Sequence, residues 1–288
     1  MSCYIIAEAG VNHNGSEEMA FQLVDAAAEA GADAVKFQTF KAESLVQKGA
    51  AKAEYQKEHT EAGDQFEMLK ALELSDAVHM RLAERCKQKG IGFLSTGFDE
   101  NSIEMLLNLG MERLKIPSGE LTNKPYIDFI AGKDCPIILS TGMATLDEVA
   151  DAVAWVKVVR GEKGLLSPLE GVLTILHCTS NYPTPLASVN LKAMQTMKRE
   201  FGMPIGYSDH TAGILISPMA VAMGATVIEK HFTLDKNLPG PDHQASLEPS
   251  ELQQMIEDIR VVELSLGDGV KIPTVEELEV RKVVRRSI

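Results

Sequence analysis

The chain alternates short apolar runs with longer segments that have helical spacing, and this pattern continues along most of its length. The apolar runs are continuous rather than alternating, which is typical of strands buried on both faces of a sheet. Because each run is separated from the next by a segment long enough for a crossover, we expect parallel pairing with right-handed connections. The predicted strands are residues 4–9, 34–38, 92–96, 113–118, 136–141, 172–178, 204–209 and 226–231.

The intervening segments repeat apolar residues every three or four positions, as helices that bury one face do. In residues 17–30, Phe21 and Val24 share a face, Ser16 is expected to cap the helix, and Gly31 is expected to end it. Further helices are predicted at residues 76–89, 101–109, 146–159, 191–201, 213–223 and 250–266.

Eight strands that alternate with helical segments in 288 residues predict a single-domain (β/α)8 TIM barrel that spans residues 1–288. Residues 41–75 are polar and too long for a plain connection, so we expect an inserted lid or side wall on the loop face. The alternative is an open, doubly wound sheet. It is disfavoured because neither a Gly-x-Gly-x-x-Gly motif after the first strand nor a phosphate-binding loop motif is present.

The amino-acid composition limits the kinds of partner that this chain is expected to bind. The chain has 28 Lys and Arg against 41 Asp and Glu, a net charge of −13, which disfavours a nucleic-acid partner. No apolar run approaches the roughly 20 residues of a membrane span, so we expect no membrane partner. The four cysteines form no Cys-x-x-Cys pair and the chain begins without a basic, apolar leader, so we expect a reducing, cytoplasmic location.

Nearly every predicted strand ends in side chains that bind ligands or transfer protons. In a barrel these ends converge on one mouth, where barrel enzymes have their active sites. The sequence therefore predicts an enzyme whose site lies at this mouth. The residues at the strand ends are Glu8, Lys36, Gln38, Thr96, Lys115, Ser118, Glu120, Ser140, Ser208, His210, Glu229 and His231.

Two histidines at the ends of adjacent predicted strands indicate a metal site. His210 and His231 follow the seventh and eighth strands, so both imidazoles could reach one divalent ion. A single loop histidine would more often be only hydrogen-bonded, but a pair on neighbouring strand ends favours metal binding. Asp209 and Glu229 flank the pair and are expected to point elsewhere.

Two lysines in otherwise apolar strands indicate an anion. Lys36 and Lys115 are costly to bury unless they meet a phosphate or a carboxylate, and the alternative is an ion pair with Glu8 or Glu120. Glu120 follows a Pro-Ser-Gly turn that could hold its carboxylate toward the mouth as a general acid or base. The hydroxyl groups that would complete the anion pocket belong to Thr96, Ser118 and Ser140.

Other residues are expected to be structural. The histidines expected at the surface are His59, His79 and His243, and the methionines expected in the core are Met143, Met219 and Met223.

These features resemble the N-acetylneuraminate synthase family, which includes sialic, legionaminic and pseudaminic acid synthases. The resemblance covers essentially all 288 residues, in the motifs IIAEAGVNHNG, AVKFQTFKAE, EYQKEHT, FLST-x-FD, LKIPSGELTN, IILSTGMAT, ILHCTSNYPTP, GYSDHT and IEKHFTLDKNLPGPDH. It implies condensation of phosphoenolpyruvate and water with an N-acetylated mannose-type sugar, either N-acetylmannosamine or a 2,4-diacetamido-trideoxy hexose. The products would be a nine-carbon 2-keto-3-deoxy acid and phosphate.

The resemblance also implies roles for individual residues. The phosphoenolpyruvate contacts would be Lys36, Thr96, Lys115, Ser118, Ser140 and Ser208. The sugar contacts would be Glu8, Gln38, Tyr182 and Asp242. His210 and His231 would hold the metal, usually Mn²⁺ with Mg²⁺ or Co²⁺ possible, and Glu120 would handle the proton.

Family members are implied to be homodimers in which a small antifreeze-like domain caps the partner's site. That domain follows a segment similar to Arg285-Arg286-Ser287, and we expect this chain to be the catalytic barrel without it. Two alternatives stay open. One is a phosphoenolpyruvate-dependent synthase for another aldose, and the other is a non-catalytic barrel remnant.

Overall fold

Eight parallel strands form the centre of the protein in a computed structural model that describes residues 2–52 and 63–286. The strands are β1 (Tyr4–Gly10), β2 (Ala34–Thr39), β3 (Gly92–Gly97), β4 (Leu114–Ile116), β5 (Ile137–Ser140), β6 (Leu173–Cys178), β7 (Ile205–Asp209) and β8 (Val227–His231). Their order is β3-β2-β1-β8-β7-β6-β5-β4, so β1 pairs with both β2 and β8 and the seam lies between β3 and β4. The predicted TIM barrel is confirmed, and the open-sheet alternative is wrong.

Helices surround this sheet. They are α1 (Glu17–Glu29), α2 (Ala42–Leu45), α3 (Gln65–Ala71), α4 (Asp76–Lys89), α5 (Glu100–Asn108), α6 (Lys124–Ala131), α7 (Leu146–Glu162), α8 (Lys192–Phe201), α9 (Ile216–Ala222), α10 (Pro249–Leu266) and α11 (Val275–Val284). Ser16 caps α1 as predicted, because its hydroxyl accepts a hydrogen bond from the Met19 amide. No helix within the described ranges has the length and apolar character needed to cross a membrane.

The strands alternate between the barrel interior and the layer of helices, and this alternation positions the site. On β8, Ile228 and Lys230 are fully buried, and the Lys230 ammonium meets Asp209 of the neighbouring strand. The alternate residues of the same strand, Glu229 and His231, face the other way and line the cavity inside the barrel. Close packing also requires one glycine, because a Cβ at Gly206 would lie 2.5 Å from the Val227 carbonyl oxygen.

The described part of the insertion forms a wall beside the carboxyl ends of the strands. α3 begins at a capping box in which the Asp64 carboxylate accepts from the Glu67 amide. Its residue Met68 and the adjoining Leu72 pack with Val11 and Phe40 in a small apolar cluster separate from the main core. This cluster holds the insertion against the barrel mouth.

Several single-residue expectations are wrong. His79 and His243 are fully buried rather than at the surface, because each finds a hydroxyl partner inside, Thr39 for His79 at 2.8 Å and Thr233 for His243 at 2.6 Å. His59 lies outside the described residues. Two of the methionines expected in the core are exposed, Met143 by 76% and Met219 by 46%.

Candidate active site

A cavity of about 320 Å³ opens at the carboxyl ends of the strands. It brings together all the residues that the resemblance assigned to the site except Glu120 and Asp242. The residues that line it are Glu8, Lys36, Gln38, Thr96, Phe98, Lys115, Pro117, Ser118, Gly119, Ser140, Met143, Cys178, Ser180, Tyr182, Ser208, His210, Glu229 and His231. Every one of the eight strands therefore contributes a side chain to one volume.

Lys36 lies at the centre of a buried polar network. Its ammonium is 2.6 Å from the Glu8 carboxylate and 3.6 Å from that of Glu229, and it donates a hydrogen bond to the Thr96 hydroxyl at 3.0 Å. Burial lowers the pKa of Lys36, but the two carboxylates outweigh burial and raise it above the ordinary value. Lys36 is therefore a fixed positive charge, and its partner is Glu8, as the ion-pair alternative anticipated.

Glu229 faces the cavity, and the expectation that it points elsewhere is wrong. Its carboxylate points into the cavity, lies 3.3 Å from the Lys115 ammonium and accepts from the Ser208 hydroxyl at 2.8 Å. Burial raises its pKa, but Lys115 and Lys36 lower it further, so the net shift is downward and Glu229 stays ionised. The correct signal was available, because Glu229 and His231 are two residues apart on one strand and must share a face.

Glu8 differs from Glu229 in its protonation. Burial raises the pKa of Glu8 to about 7, Lys36 opposes that shift, and the Glu229 charge adds to it. The two carboxylates in this cavity thus have opposite pKa shifts. Glu229 keeps a permanent negative charge, whereas Glu8 is able to exchange a proton near neutral pH.

The two histidines lie side by side, with ring centroids 5.6 Å apart. The Nδ1 atom of His210 donates to the Thr179 carbonyl at 2.7 Å, which directs the Nε2 atom to the other side, 3.2 Å from the Ser208 hydroxyl. Tyr182 packs on both rings, at centroid distances of 4.2 and 5.6 Å. Burial lowers the pKa of each histidine, so both imidazoles are neutral.

These imidazoles fit a divalent metal. The Nδ1 atom of His231 is buried and has no hydrogen-bond partner among the described residues. The hydrogen bond from His210 to Thr179 fixes the other ring, as a bond to the second ring nitrogen commonly does for a metal-binding histidine. Within residues 2–52 and 63–286, no group of three or more His, Cys, Asp or Glu side chains is arranged to hold a metal.

Asp209 points away from the cavity, as expected. It forms a fully buried ion pair with Lys230 at 3.2 Å and accepts from the Thr211 amide at 2.8 Å and the Ser217 hydroxyl at 2.7 Å. This network lies on the outer face of β7 and β8, directly behind His210 and His231.

Comparison with known proteins identifies the family. The NeuB family model matches residues 23–271, most of the chain. This chain belongs to the NeuB family. It is 57% identical to N,N'-diacetyllegionaminic acid synthase of Legionella pneumophila over all of this chain and 80% of the relative, and 49% identical to the Campylobacter jejuni enzyme of the same name over 99% and 83%. A crystal structure of the sialic acid synthetase of Leptospira borgpetersenii, in complex with citrate, superposes with a TM-score of 0.85 at 36% identity, covering 99% of this chain and 93% of that one.

Two residues that the NeuB family resemblance assigned to the site do not line its cavity. Glu120 ends a short 3-10 turn (Ser118–Glu120), is half-buried, and accepts a hydrogen bond from the Asn123 side chain at 2.6 Å. Asp242 lies in an adjoining cavity of about 150 Å³ together with Gln38, Tyr182 and His231. Burial raises the pKa of Asp242 to about 6.

The loop after β5 was not recognised from the sequence as part of this NeuB family site. The Gly142 amide donates to the Ser118 hydroxyl at 3.0 Å, and a Cβ at Gly142 would lie 2.3 Å from the Ser180 hydroxyl oxygen. The thiol of Cys178 is 3.2 Å from the same Ser118 oxygen. Glycine is therefore required here by close approach of three side chains, which the short motif Ser-Thr-Gly-Met does not reveal.

Proposed function

We propose that this chain condenses phosphoenolpyruvate and water with an N-acylated mannose-type sugar to give a nine-carbon 2-keto-3-deoxy acid and phosphate. The observation that carries the proposal is one cavity in which Lys36 and Lys115 flank Glu229 next to a pair of neutral imidazoles. Because the two synthases at 57% and 49% identity are both named for N,N'-diacetyllegionaminic acid, we favour a 2,4-diacetamido-trideoxy hexose over N-acetylmannosamine as the acceptor.

Phosphoenolpyruvate would occupy the lysine end of the cavity. Lys36 and Lys115 supply positive charge that is already desolvated, so a phosphate bound there forms charge-assisted hydrogen bonds in a low-dielectric environment. The hydroxyl of Ser140 is buried and has no hydrogen-bond partner within the described ranges, so it is available to an anion. Thr96, Ser118 and Ser208 would complete the binding site.

The acceptor sugar would lie at the histidine end, where we propose that His210 and His231 hold a divalent cation, Mn²⁺ first and Mg²⁺ or Co²⁺ as alternatives. When bound, that cation would supply Lewis acidity for the aldehyde oxygen of the open-chain sugar. The sugar hydroxyls would contact Glu8, Gln38, Tyr182 and Asp242, and the ring of Tyr182 would keep the imidazoles in place.

In the reaction, C3 of phosphoenolpyruvate forms a bond to the aldehyde carbon, water adds at C2, and the C2–O bond to phosphate breaks. Lys36 and Lys115 stabilise the departing phosphate dianion. A carboxylate must take one proton from the attacking water and return it to the former aldehyde oxygen, which becomes a hydroxyl group. The other proton of that water leaves with the phosphate when the C2–O bond breaks. The resemblance assigns the role of this carboxylate to Glu120, and Glu8, which lines the cavity and has a pKa of about 7, is the competing candidate.

We also propose that the protein is a homodimer. Exposed large apolar side chains are concentrated near the end of the chain, in α10, α11 and the segment between them. They are Val261, Leu264, Leu266, Val270, Ile272, Val275, Leu278, Val280, Val283 and Val284. A second copy would remove such a surface from water, and light scattering on the purified protein would report the mass.

The activity is tested by measuring phosphate release from phosphoenolpyruvate with Mn²⁺ and a panel of aldehydes: the diacetamido hexose, N-acetylmannosamine, mannose and a phosphorylated aldose. We expect release only with an N-acylated sugar. Turnover with the phosphorylated aldose alone would favour a synthase for another aldose, and no turnover with any aldehyde would support a non-catalytic barrel.

Single-residue variants distinguish the residues that would bind the metal from the residue that would accept the proton. His210→Ala and His231→Ala should each abolish metal-dependent turnover, whereas activity retained in excess chelator would contradict the metal assignment. Glu120→Gln and Glu8→Gln should both still bind phosphoenolpyruvate, and the variant that loses turnover without losing that binding identifies the proton acceptor.

A further inference from the structure

A residue at the mouth of the cavity has a backbone conformation that does not suit it. Met143 has a φ of 67°, in the left-handed region that favours glycine and asparagine. The other non-glycine residues with positive φ in the described part of the chain are both asparagines, Asn14 and Asn190. Met143 sits in a tight turn closed by a hydrogen bond from the Ala144 amide to the Thr141 carbonyl at 3.2 Å, at a position where Gly or Asn is usual.

The turn is held from both sides, so this conformation is imposed. The Thr141 amide donates to the Leu176 carbonyl at 3.1 Å, and the Gly142 amide donates to the Ser118 hydroxyl at 3.0 Å. A backbone residue that is strained and fixed by its neighbours is typical of functional sites.

The Met143 side chain is not packed in the core, so core packing does not compensate for the strained backbone. Met143 is 76% exposed, yet it lines both the site cavity and a neighbouring cavity of about 420 Å³ between α7 and α8. An exposed, flexible thioether between two cavities can reposition over a ligand without displacing other side chains. Its exposure is explained if a bound ligand covers it.

Of the two substrates, the sugar fits this position. Phosphoenolpyruvate is small and anionic, so its phosphate and carboxylate would take charged or hydrogen-bonding partners rather than a thioether. The acceptor sugar carries an apolar group, the methyl of an acylamido substituent, which a thioether can cover. We propose that Met143 is a specificity-determining residue whose thioether packs on an acylamido methyl group of the acceptor sugar. This inference rests on the proposed function.

Three variants test it. Met143→Asn tolerates positive φ and removes the apolar side chain, Met143→Leu keeps an apolar side chain, and Met80→Asn is the control, because Met80 is a 59%-exposed methionine on α4 outside the site cavity. For Met143→Asn we expect the KM of the N-acylated sugar to rise about tenfold, as loss of packing on one methyl group does. The KM of phosphoenolpyruvate should stay within about twofold, because the thioether would pack on the sugar and leave the phosphoenolpyruvate contacts unchanged.

Thermal stability provides an independent readout. Met143→Asn should have a Tm at or above that of the wild type because the strain is relieved, whereas Met80→Asn should lower Tm and leave both KM values unchanged. Met143→Leu should retain the preference for N-acylated over non-acylated mannose, and Met143→Asn should lose most of it.

An unchanged sugar KM in Met143→Asn, or equal rises in the KM of both substrates, would overturn the proposal while leaving the proposed function intact. A wild-type protein that turns over no sugar at all would overturn both. These two failures are therefore distinguishable in one set of measurements.

Discussion

The buried pair of Asp209 and Lys230 offers a quantitative test of what stabilises the barrel behind its two imidazoles. Both side chains have no exposed surface, and the charged atoms are 3.2 Å apart. At that distance and an effective dielectric constant of about 20, the attraction is about 5 kcal/mol. The Lys230 ammonium also donates a hydrogen bond to the Thr211 carbonyl at 2.5 Å, but that oxygen carries no full charge. Asp209 is therefore the main counter-charge of Lys230, and Glu251 contributes a smaller attraction.

Asp209→Asn removes the charge but keeps an oxygen that can accept from the Thr211 amide. It leaves Lys230 buried and unpaired, which we expect to cost about 3 to 5 kcal/mol of unfolding free energy. For a domain of this size that loss corresponds to a fall in Tm of about 6 to 10 °C. The double variant Asp209→Asn with Lys230→Met removes both charges and should recover at least half of the loss.

The assay is thermal unfolding followed by circular dichroism at neutral pH. Glu279→Gln is the matched control, because its partner Lys282 and Glu279 itself are 67% and 72% exposed and such a pair contributes about 0 to 1 kcal/mol. If Asp209→Asn costs no more than this control, or if the double variant is less stable than the single one, the reasoning is refuted.

Three further predictions follow from the packing. Burial lowers the pKa of His13 from 6.5 to about 4, and the nearby imidazoles of His79 and His243 act in the same direction. The unfolded chain therefore binds this proton first, and His13 alone should account for a loss of about 3 kcal/mol of unfolding free energy between pH 6.5 and 4. His13→Asn should flatten that part of a Tm-against-pH curve, and an unchanged slope would count against the assignment. Gly142→Ala places a Cβ 2.3 Å from the Ser180 hydroxyl and 2.9 Å from that of Ser118, so kcat/KM should fall about 100-fold; near-normal kinetics would mean that the loop moves freely. Gly161→Ala lies near the end of α7 with open space around it, so it should raise Tm by about 2 °C without changing kinetics, and a lower Tm would contradict this.

The barrel could be predicted from the sequence because its signals are local. Each strand is a short apolar run, so the predicted bounds of all eight lie within two residues of the observed ones. α6 was missed because it has only eight residues and follows β4 directly after a short turn, which leaves too little sequence for a helical period to be evident.

The sequence predicts the site residues whose location follows from their position on a strand. It does not predict the pairings that depend on contacts between distant strands. The convergence of Lys36, Lys115 and the two histidines follows from the barrel itself. By contrast, the pairing of Lys115 on β4 with Glu229 on β8 crosses the interior, and no sequence spacing reveals it. Met143 was expected in the core because methionine usually is buried, and its position in a fixed turn overrode that preference.

The most direct test of the proposed chemistry is an isotope experiment in water enriched in ¹⁸O, with phosphoenolpyruvate, Mn²⁺ and the diacetamido hexose. If water adds at C2 and the C2–O bond breaks next to Lys36 and Lys115, mass spectrometry should find a nine-carbon keto acid together with phosphate that carries no ¹⁸O. Phosphate labelled with ¹⁸O, accompanied by pyruvate and unchanged sugar, would show simple hydrolysis at phosphorus and would contradict the account.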